Sequence, residues 1–204
     1  MTTVRRAASI GAFVLALLAD AALAQTADRP GVKVGDQWQF VMYWTAPSTK
    51  PNRTWVITSV TPTRIEGTEN AEPLTLTNDL GVLESPRHKE SNPKELIFPL
   101  EVGKQWRYVS DWTFKAKAST GGSVVDVTVV AHEKVSVPAG EFEAFRLSAK
   151  RRLSGTSPIN SQYGGESTTT YWYAPAARAI VKSISHNPYL GTSTVELIDF
   201  QLRP

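Results

Sequence analysis

The chain has no cysteine among its 204 residues. That excludes a disulfide framework, a thiolate metal site and a lipid-modified cysteine at a mature N-terminus. Histidine is scarce: His88, His132 and His186 fall far apart, and none lies within ligand spacing of another. No metal centre is expected from such spacing. Helical periodicity is missing as well, since no window of a dozen residues keeps apolar residues at i, i+3, i+4 free of Gly and Pro. Charge of one sign is absent, and beyond residue 24 the chain carries 20 basic and 18 acidic residues. Nucleic-acid binders concentrate positive charge, so none is expected as a partner. There is no Gly-x-Ser-x-Gly elbow, and the short Gly turns at Ser119–Gly122 and Gly164–Ser167 lack the ending of a phosphate loop. No cofactor is expected. After residue 24 no apolar run reaches the length of a helical membrane span.

The first 24 residues read as a cleaved secretory signal peptide. Arg5 and Arg6 give a positive start, Ile10 to Ala19 a short apolar run, and Ala22-Leu23-Ala24 a small-residue cleavage pattern. Residues 25–204 read as a single domain, periplasmic or extracellular and not a lipoprotein. Without disulfides it depends on its core, and a chain of this size buries roughly two-thirds of its unfolded surface.

What is abundant is strand signal. Val34-Gly-Asp-Gln-Trp38-Gln-Phe40-Val-Met-Tyr-Trp44 recurs as Val102-Gly-Lys-Gln-Trp106-Arg-Tyr108-Val-Ser-Asp-Trp112, with six of eleven positions identical. Each copy alternates aromatic and polar residues, the period of a half-buried strand. Each is followed by a turn and a β-branched strand, Thr54–Thr61 and Val124–Val130. The pattern predicts an all-β fold: one strongly curved antiparallel sheet, or a half-open barrel, of about ten strands with a duplicated aromatic hairpin. Ser85–Glu95 is the most polar stretch and reads as an exposed loop, with His88 in it.

Three phrases in order carry a resemblance. They are Phe98-Pro-Leu-Glu-Val-Gly103-Lys-Gln-Trp106, Val135-Ser-Val-Pro138-Ala-Gly140-Glu-Phe142-Glu-Ala-Phe145-Arg-Leu147, and Trp172-Tyr-Ala-Pro175-Ala-Ala-Arg-Ala-Ile-Val181-Lys182. Over residues 95 to 202 the chain resembles a bacterial exported family built on a domain of unknown function, the 3108-like group, some of whose members are labelled TapB family. The resemblance implies an envelope β-protein and no particular activity. Many members have Gly after the Trp-Tyr-Ala-Pro phrase. Here Ala176-Ala177-Arg178 stands there, which argues against a positive-φ turn.

The aromatics are the strongest functional hint. Six Trp, all on predicted strands, are enough to fill one core. They also suit the concave face of a curved sheet that holds an apolar ligand, with tyrosine hydroxyls at its mouth. On that reading the ligand-binding residues are Tyr43, Trp44, Trp112, Tyr171 and Tyr173. The chain is then an exported, non-enzymatic binding or carrier module for an apolar or amphipathic envelope molecule such as a lipid. One alternative is a structural or protein-interaction module of the envelope that docks a partner protein on strand edges. Another is a carbohydrate-active hydrolase using paired carboxylates among Asp111, Asp126 and Glu133, although acidic residues on the wet face of a sheet explain these better. Lys150-Arg151-Arg152 is the only dense basic run, with Lys150 and Arg152 on one strand face and Arg151 on the other.

Overall fold

A computed structural model describes residues 25–44, 52–158, 162–188 and 191–204. The predicted signal peptide lies outside the described residues. In chain order the strands are β1 (Thr26–Ala27), β2 (Gln37–Trp44), β3 (Asn52–Val60), β4 (Ile65–Glu69), β5 (Glu72–Leu76), β6 (Val82–Glu84) and β7 (His88–Glu90). They continue as β8 (Leu100–Glu101), β9 (Gln105–Phe114), β10 (Ser119–Val137), β11 (Gly140–Thr156), β12 (Tyr163–Ala174), β13 (Ala179–Asn187) and β14 (Gly191–Gln201).

Twelve of these strands close into an antiparallel barrel, while β1 and β8 form a separate two-stranded sheet. The expected all-β antiparallel architecture is present, and the curved sheet or half-open barrel of about ten strands is a closed barrel of twelve. Closure comes from two long-range seams. β14 pairs along β2, from Ser193↔Trp44 to Gln201↔Gln37. The three-residue β7 pairs with β9 through His88↔Phe114 and Glu90↔Trp112.

The repeat in the sequence is a repeat in space. β2–β7 is one six-stranded meander and β9–β14 is the other, so the two copies of the phrase begin the two halves of the barrel. The glycine of each copy takes positive φ, +88° at Gly35 and +92° at Gly103, where a side chain is disfavoured. Each glycine N–H donates to the returning strand, to the carbonyls of Ile57 and Val129, both at 2.8 Å. Those two residues donate back to the carbonyls of Asp36 and Lys104. Just beyond them, both returning strands carry a β-bulge, between Ile57 and Ser59 and between Val129 and Ala131. A bulge bends its strand and increases local twist, so each half turns the corner at the same place.

Alternation sends one face of each strand inward. One apolar cluster gathers Trp38, Phe40, Ile57, Leu74 and Leu76 with Val181, Leu197 and the tip of the β10–β11 hairpin. The second gathers Tyr108, Val125, Val127, Phe145, Leu147 and Tyr173 with Leu96 and Leu100. The segment between β7 and β8 runs across the inner face of the second half. The Asn92 N–H donates to the buried Ser110 Oγ (3.0 Å), the Lys94 carbonyl accepts from Trp106 Nε1 (2.7 Å), and Phe98 packs edge-on against Tyr173. The interior is thus filled by side chains and by this strap. Two open surface grooves lie among the described residues, of about 410 Å³ over the Gly121 and Gly155 strand ends and about 220 Å³ beside Val32. Two apolar clusters and the strap line the inner faces expected to form an apolar concavity.

The exposed-loop reading of Ser85–Glu95 is also corrected. Ser85 and Glu90 are buried, His88 is only partly exposed, and the stretch contributes β7 to the barrel. Its charges are tolerated inside because they meet opposite charges there, as described below. A third correction concerns the Ala176-Ala177-Arg178 turn. Arg178 does take the left-handed conformation, at φ +52°, capping a 3-10 turn at Pro175–Ala177. Its guanidinium is held by Asp36 at 3.1 Å and by the Arg203 carbonyl. The outer face of the barrel carries ion pairs, among them Arg107–Asp126–Arg152, Lys150–Glu166 and Lys182–Glu196.

Candidate functional site

The first polar cluster is built where β9, β10 and β11 lie side by side. Tyr108, Val125 and Arg151 form one row across the three strands. Alternation that sends Lys150 and Arg152 to solvent therefore sends Arg151 inward. Its Nη2 contacts Glu90 Oε1 at 3.2 Å, the Tyr108 hydroxyl at 3.5 Å and Glu95 Oε1 at 3.7 Å. Its Nη1 donates to Ser123 Oγ at 3.2 Å. Glu90 reaches it from β7 and Glu95 from the strap. Two carboxylates thus converge on one guanidinium.

Glu95 is the unusual member. Burial pushes its carboxyl above the ordinary glutamate range, and the neighbouring Glu90 pushes it further. Oε1 accepts from the Tyr108 hydroxyl at 3.3 Å, while Oε2 is buried with no hydrogen-bond partner among the described residues. Burial, with Glu95 adding to it, also raises Tyr108 and Tyr171. These phenols stay neutral and act as hydrogen-bond groups.

A second cluster sits on β3, β4 and the turn between β6 and β7. Glu69, fully buried, accepts from Arg53 Nε (3.2 Å) and Nη2 (2.9 Å) and from Trp55 Nε1 (3.0 Å). Arg87, in the turn between β6 and β7, approaches the same carboxylate at 3.4 Å. His88 lies between the clusters. Burial lowers its pKa, and the charges of Glu90, Arg53, Glu69 and Arg151 all act on it. Charges this sheltered are costly unless each is answered by a partner.

The five aromatics singled out in the sequence do not form one site. Tyr43 lies on the opposite face of β2 from Phe40 and donates its hydroxyl to Glu196 at 3.1 Å. Trp44 ends β2 and is 45% exposed. Trp112 is buried over two glycines: a Cβ on Gly121 or Gly155 would lie 2.6 or 2.7 Å from its indole. Tyr171 is half-buried against the second apolar cluster, in the electrostatic field of Arg151 and Glu95. Tyr173 is 1% exposed and packed as core. The acidic residues considered for hydrolysis stand apart from the interior. Asp111 is exposed, Asp126 pairs with Arg107 and Arg152, and Glu133 pairs with Arg146. Sequence reasoning did not select Glu69, Glu90, Glu95, Arg53 or Arg87. The one available signal was Arg151, a basic residue at an inward position of a strand whose neighbours there are Leu147 and Ala149.

No protein-family model and no curated protein sequence matches the chain. The resemblance to the 3108-like group therefore rests on its three phrases alone. Solved structures do match the fold. One is a Bacteroides fragilis NCTC 9343 protein named "putative exported protein with YmcC-like fold", at 14% identity and TM-score 0.53, covering 86% of this chain and 99% of that one. Another is a "putative lipoprotein" of Parabacteroides distasonis ATCC 8503, at 12% identity and TM-score 0.54, with the same coverage. The "hypothetical lipoprotein YmcC" of Escherichia coli K12 aligns at 10% identity and TM-score 0.47, over 83% of this chain and 85% of that one. The chain has a YmcC-like all-β fold. The lipoprotein names lend no support to the expectation that this chain is not a lipoprotein.

Proposed function

We propose that the chain is an exported, non-enzymatic binding module of the bacterial envelope, taking an amphipathic molecule at the charged part of its barrel. The observation that carries the reading is the sheltered polar network: Arg151 shared by Glu90 and Glu95, with a buried Glu95 oxygen left unpartnered. Hydrophobic residues of similar volume would often hold a core as well or better than buried ion pairs. Charges kept at such a cost, beside an unanswered acceptor, suit recognition of a polar group.

Export is supported by the predicted signal peptide, by the 3108-like resemblance and by the names of the Bacteroides fragilis and Parabacteroides distasonis fold neighbours. The outer face argues for a barrel that works in water. Membrane-spanning barrels face lipid with an apolar band and keep a polar interior, whereas here ion pairs lie outside and apolar clusters inside. Closure weighs against the interaction-module alternative in its edge-docking form, because it pairs the barrel strands in a ring and leaves the two-residue strands β1 and β8 as the separate open sheet.

The test is mass spectrometry on an organic extract of the mature protein, purified from its native envelope without denaturant. A stoichiometric amphiphile is the expected result. An empty extract, repeated after gentle crosslinking, turns the reading towards a partner-binding module.

A further inference from the structure

Glu69 answers two cations at once. Arg53 holds it with two hydrogen bonds, and Arg87 shares its Oε1. Burial alone would raise this carboxyl, but the hydrogen bond and charge of Arg53, with Trp55 and Arg87, outweigh it and hold Glu69 below the ordinary range. It is therefore ionised and supplies one negative charge against two positive ones. Glu90 is already engaged by Arg151, and Glu84 by Lys115 and Lys89. One positive charge is left over, and geometry assigns it to Arg87. The Arg87 Nη1 points at Met42 Sδ at 3.8 Å, a weak acceptor. Its Nη2 has no protein acceptor among the described residues. Its side chain is 40% exposed, so a ligand can reach it. Its backbone is fixed, with the N–H donating to Ser85 Oγ and the carbonyl accepting from Lys115.

We infer that Arg87, backed by Arg53, receives an oxyanion, a phosphate or carboxylate, carried as the headgroup of the bound amphiphile. The inference rests on the binding-module reading and names the chemical class of its ligand. A guanidinium whose Nη2 is unanswered and whose Nη1 meets only a thioether sulfur can turn both nitrogens to two oxygens of such a group. The second guanidinium on Glu69 prevents that carboxylate from neutralising the site. Burial, and then the charge of Arg53, act against the charge on Arg87; the attraction of a bound anion offsets both.

Isothermal titration of the mature protein with three probes tests this: dodecyl phosphate, inorganic phosphate, and dodecyl maltoside as a neutral amphiphile, each below its micelle concentration. Dodecyl phosphate is expected to bind at least tenfold more tightly than dodecyl maltoside. Arg87→Gln is expected to remove about tenfold or more of that affinity, the worth of one charge-assisted hydrogen bond, while leaving dodecyl maltoside unchanged. Arg87→Lys should keep part of it. Arg152→Gln, on the outer face, should keep all of it, and thermal melts establish that each variant is folded. Equal affinity for the phosphate and the maltoside, or a folded Arg87→Gln that binds dodecyl phosphate like the parent, overturns the anion site and leaves the amphiphile reading standing. Inorganic phosphate binding as tightly as dodecyl phosphate, with the same loss in Arg87→Gln, supports the anion site and removes the amphiphile. No binding of either phosphate overturns the inference, and the organic extract then decides the binding-module reading separately.

Discussion

Glu95 sits where a charge is least welcome. It faces Glu90, Arg151, Tyr108 and Tyr171, and burial followed by Glu90 raises its carboxyl above the usual value of 4.5. The folded protein therefore holds this proton at pH values where the unfolded chain has released it. Its contribution to stability is full below about pH 4.5 and is lost as pH rises through the raised folded value. Glu95→Gln keeps an acceptor for the Tyr108 hydroxyl and removes the titration. The variant is expected to match the parent in thermal melts near pH 4 and to exceed it once pH has risen through the raised folded value. Parallel curves across that range would show that Glu95 titrates as it does in the unfolded chain. At this scale the sequence was informative only where alternation applied. Arg151 could be placed on the face opposite Lys150 and Arg152 by counting along a strand. Glu90 and Glu95 could not be placed, because the stretch from Ser85 has the composition of a solvated loop. What buries it is a guanidinium 61 residues away from Glu90 in sequence, and no local pattern carries that information.

The elements were more legible than their ends. Both copies of the repeated phrase became strands, and the turn glycines before them share φ, hydrogen bonds and bulge position. β6 and β7, three residues each, gave no periodic signal long enough to read, yet β7 completes the barrel. Glycines serve two different ends in these hairpins, and substitution separates them. A Cβ on Gly103 meets nothing within 4 Å, so Gly103→Ala carries only the cost of a left-handed backbone, about 1–2 kcal/mol. Gly121 has no such backbone demand, but its Cβ would lie 2.0 Å from the Ser154 carbonyl and 2.6 Å from the Trp112 ring. Gly121→Ala is expected to cost about 3 kcal/mol, the upper range for overpacking, and to shift Trp emission as Trp112 leaves its seat. Urea denaturation with fluorescence detection reads both effects. Equal costs for the two variants, with unchanged emission, would mean that the glycine bed under Trp112 yields freely.

At the scale of the molecule, the barrel depends on joining strands from opposite ends of the chain, and Asp36 performs much of that joining. It is fully buried, and it follows the positive-φ Gly35 at the entry to the first repeat. Oδ1 accepts from the Arg203 N–H at 2.7 Å, while Oδ2 accepts from the Lys33 N–H at 2.9 Å and from Arg178 Nη1 at 3.1 Å. Lys33 also reaches the Pro204 carbonyl. One carboxylate thereby ties the start of β2, the β12–β13 turn and the residues after β14, beside the seam where β14 pairs with β2. The second copy of the repeat has Lys104 at the matching position, and there the neighbouring strands are consecutive or nearly so in the chain. The charge difference between two otherwise similar phrases thus marks the half of the barrel that must be closed over a long sequence separation. Asp36→Ala would leave the Lys33 and Arg203 N–H groups unanswered and Arg178 Nη1 with the Arg203 carbonyl alone, at about 3–5 kcal/mol. Hydrogen exchange should then show protection lost first along β14 and the facing edge of β2, with the β10–β11 hairpin still protected. Asp36→Asn keeps two acceptor positions at one oxygen and should fall between. Uniform loss of protection over the whole barrel in Asp36→Ala would place closure in the strand ladders alone, with the aspartate a passenger at the seam.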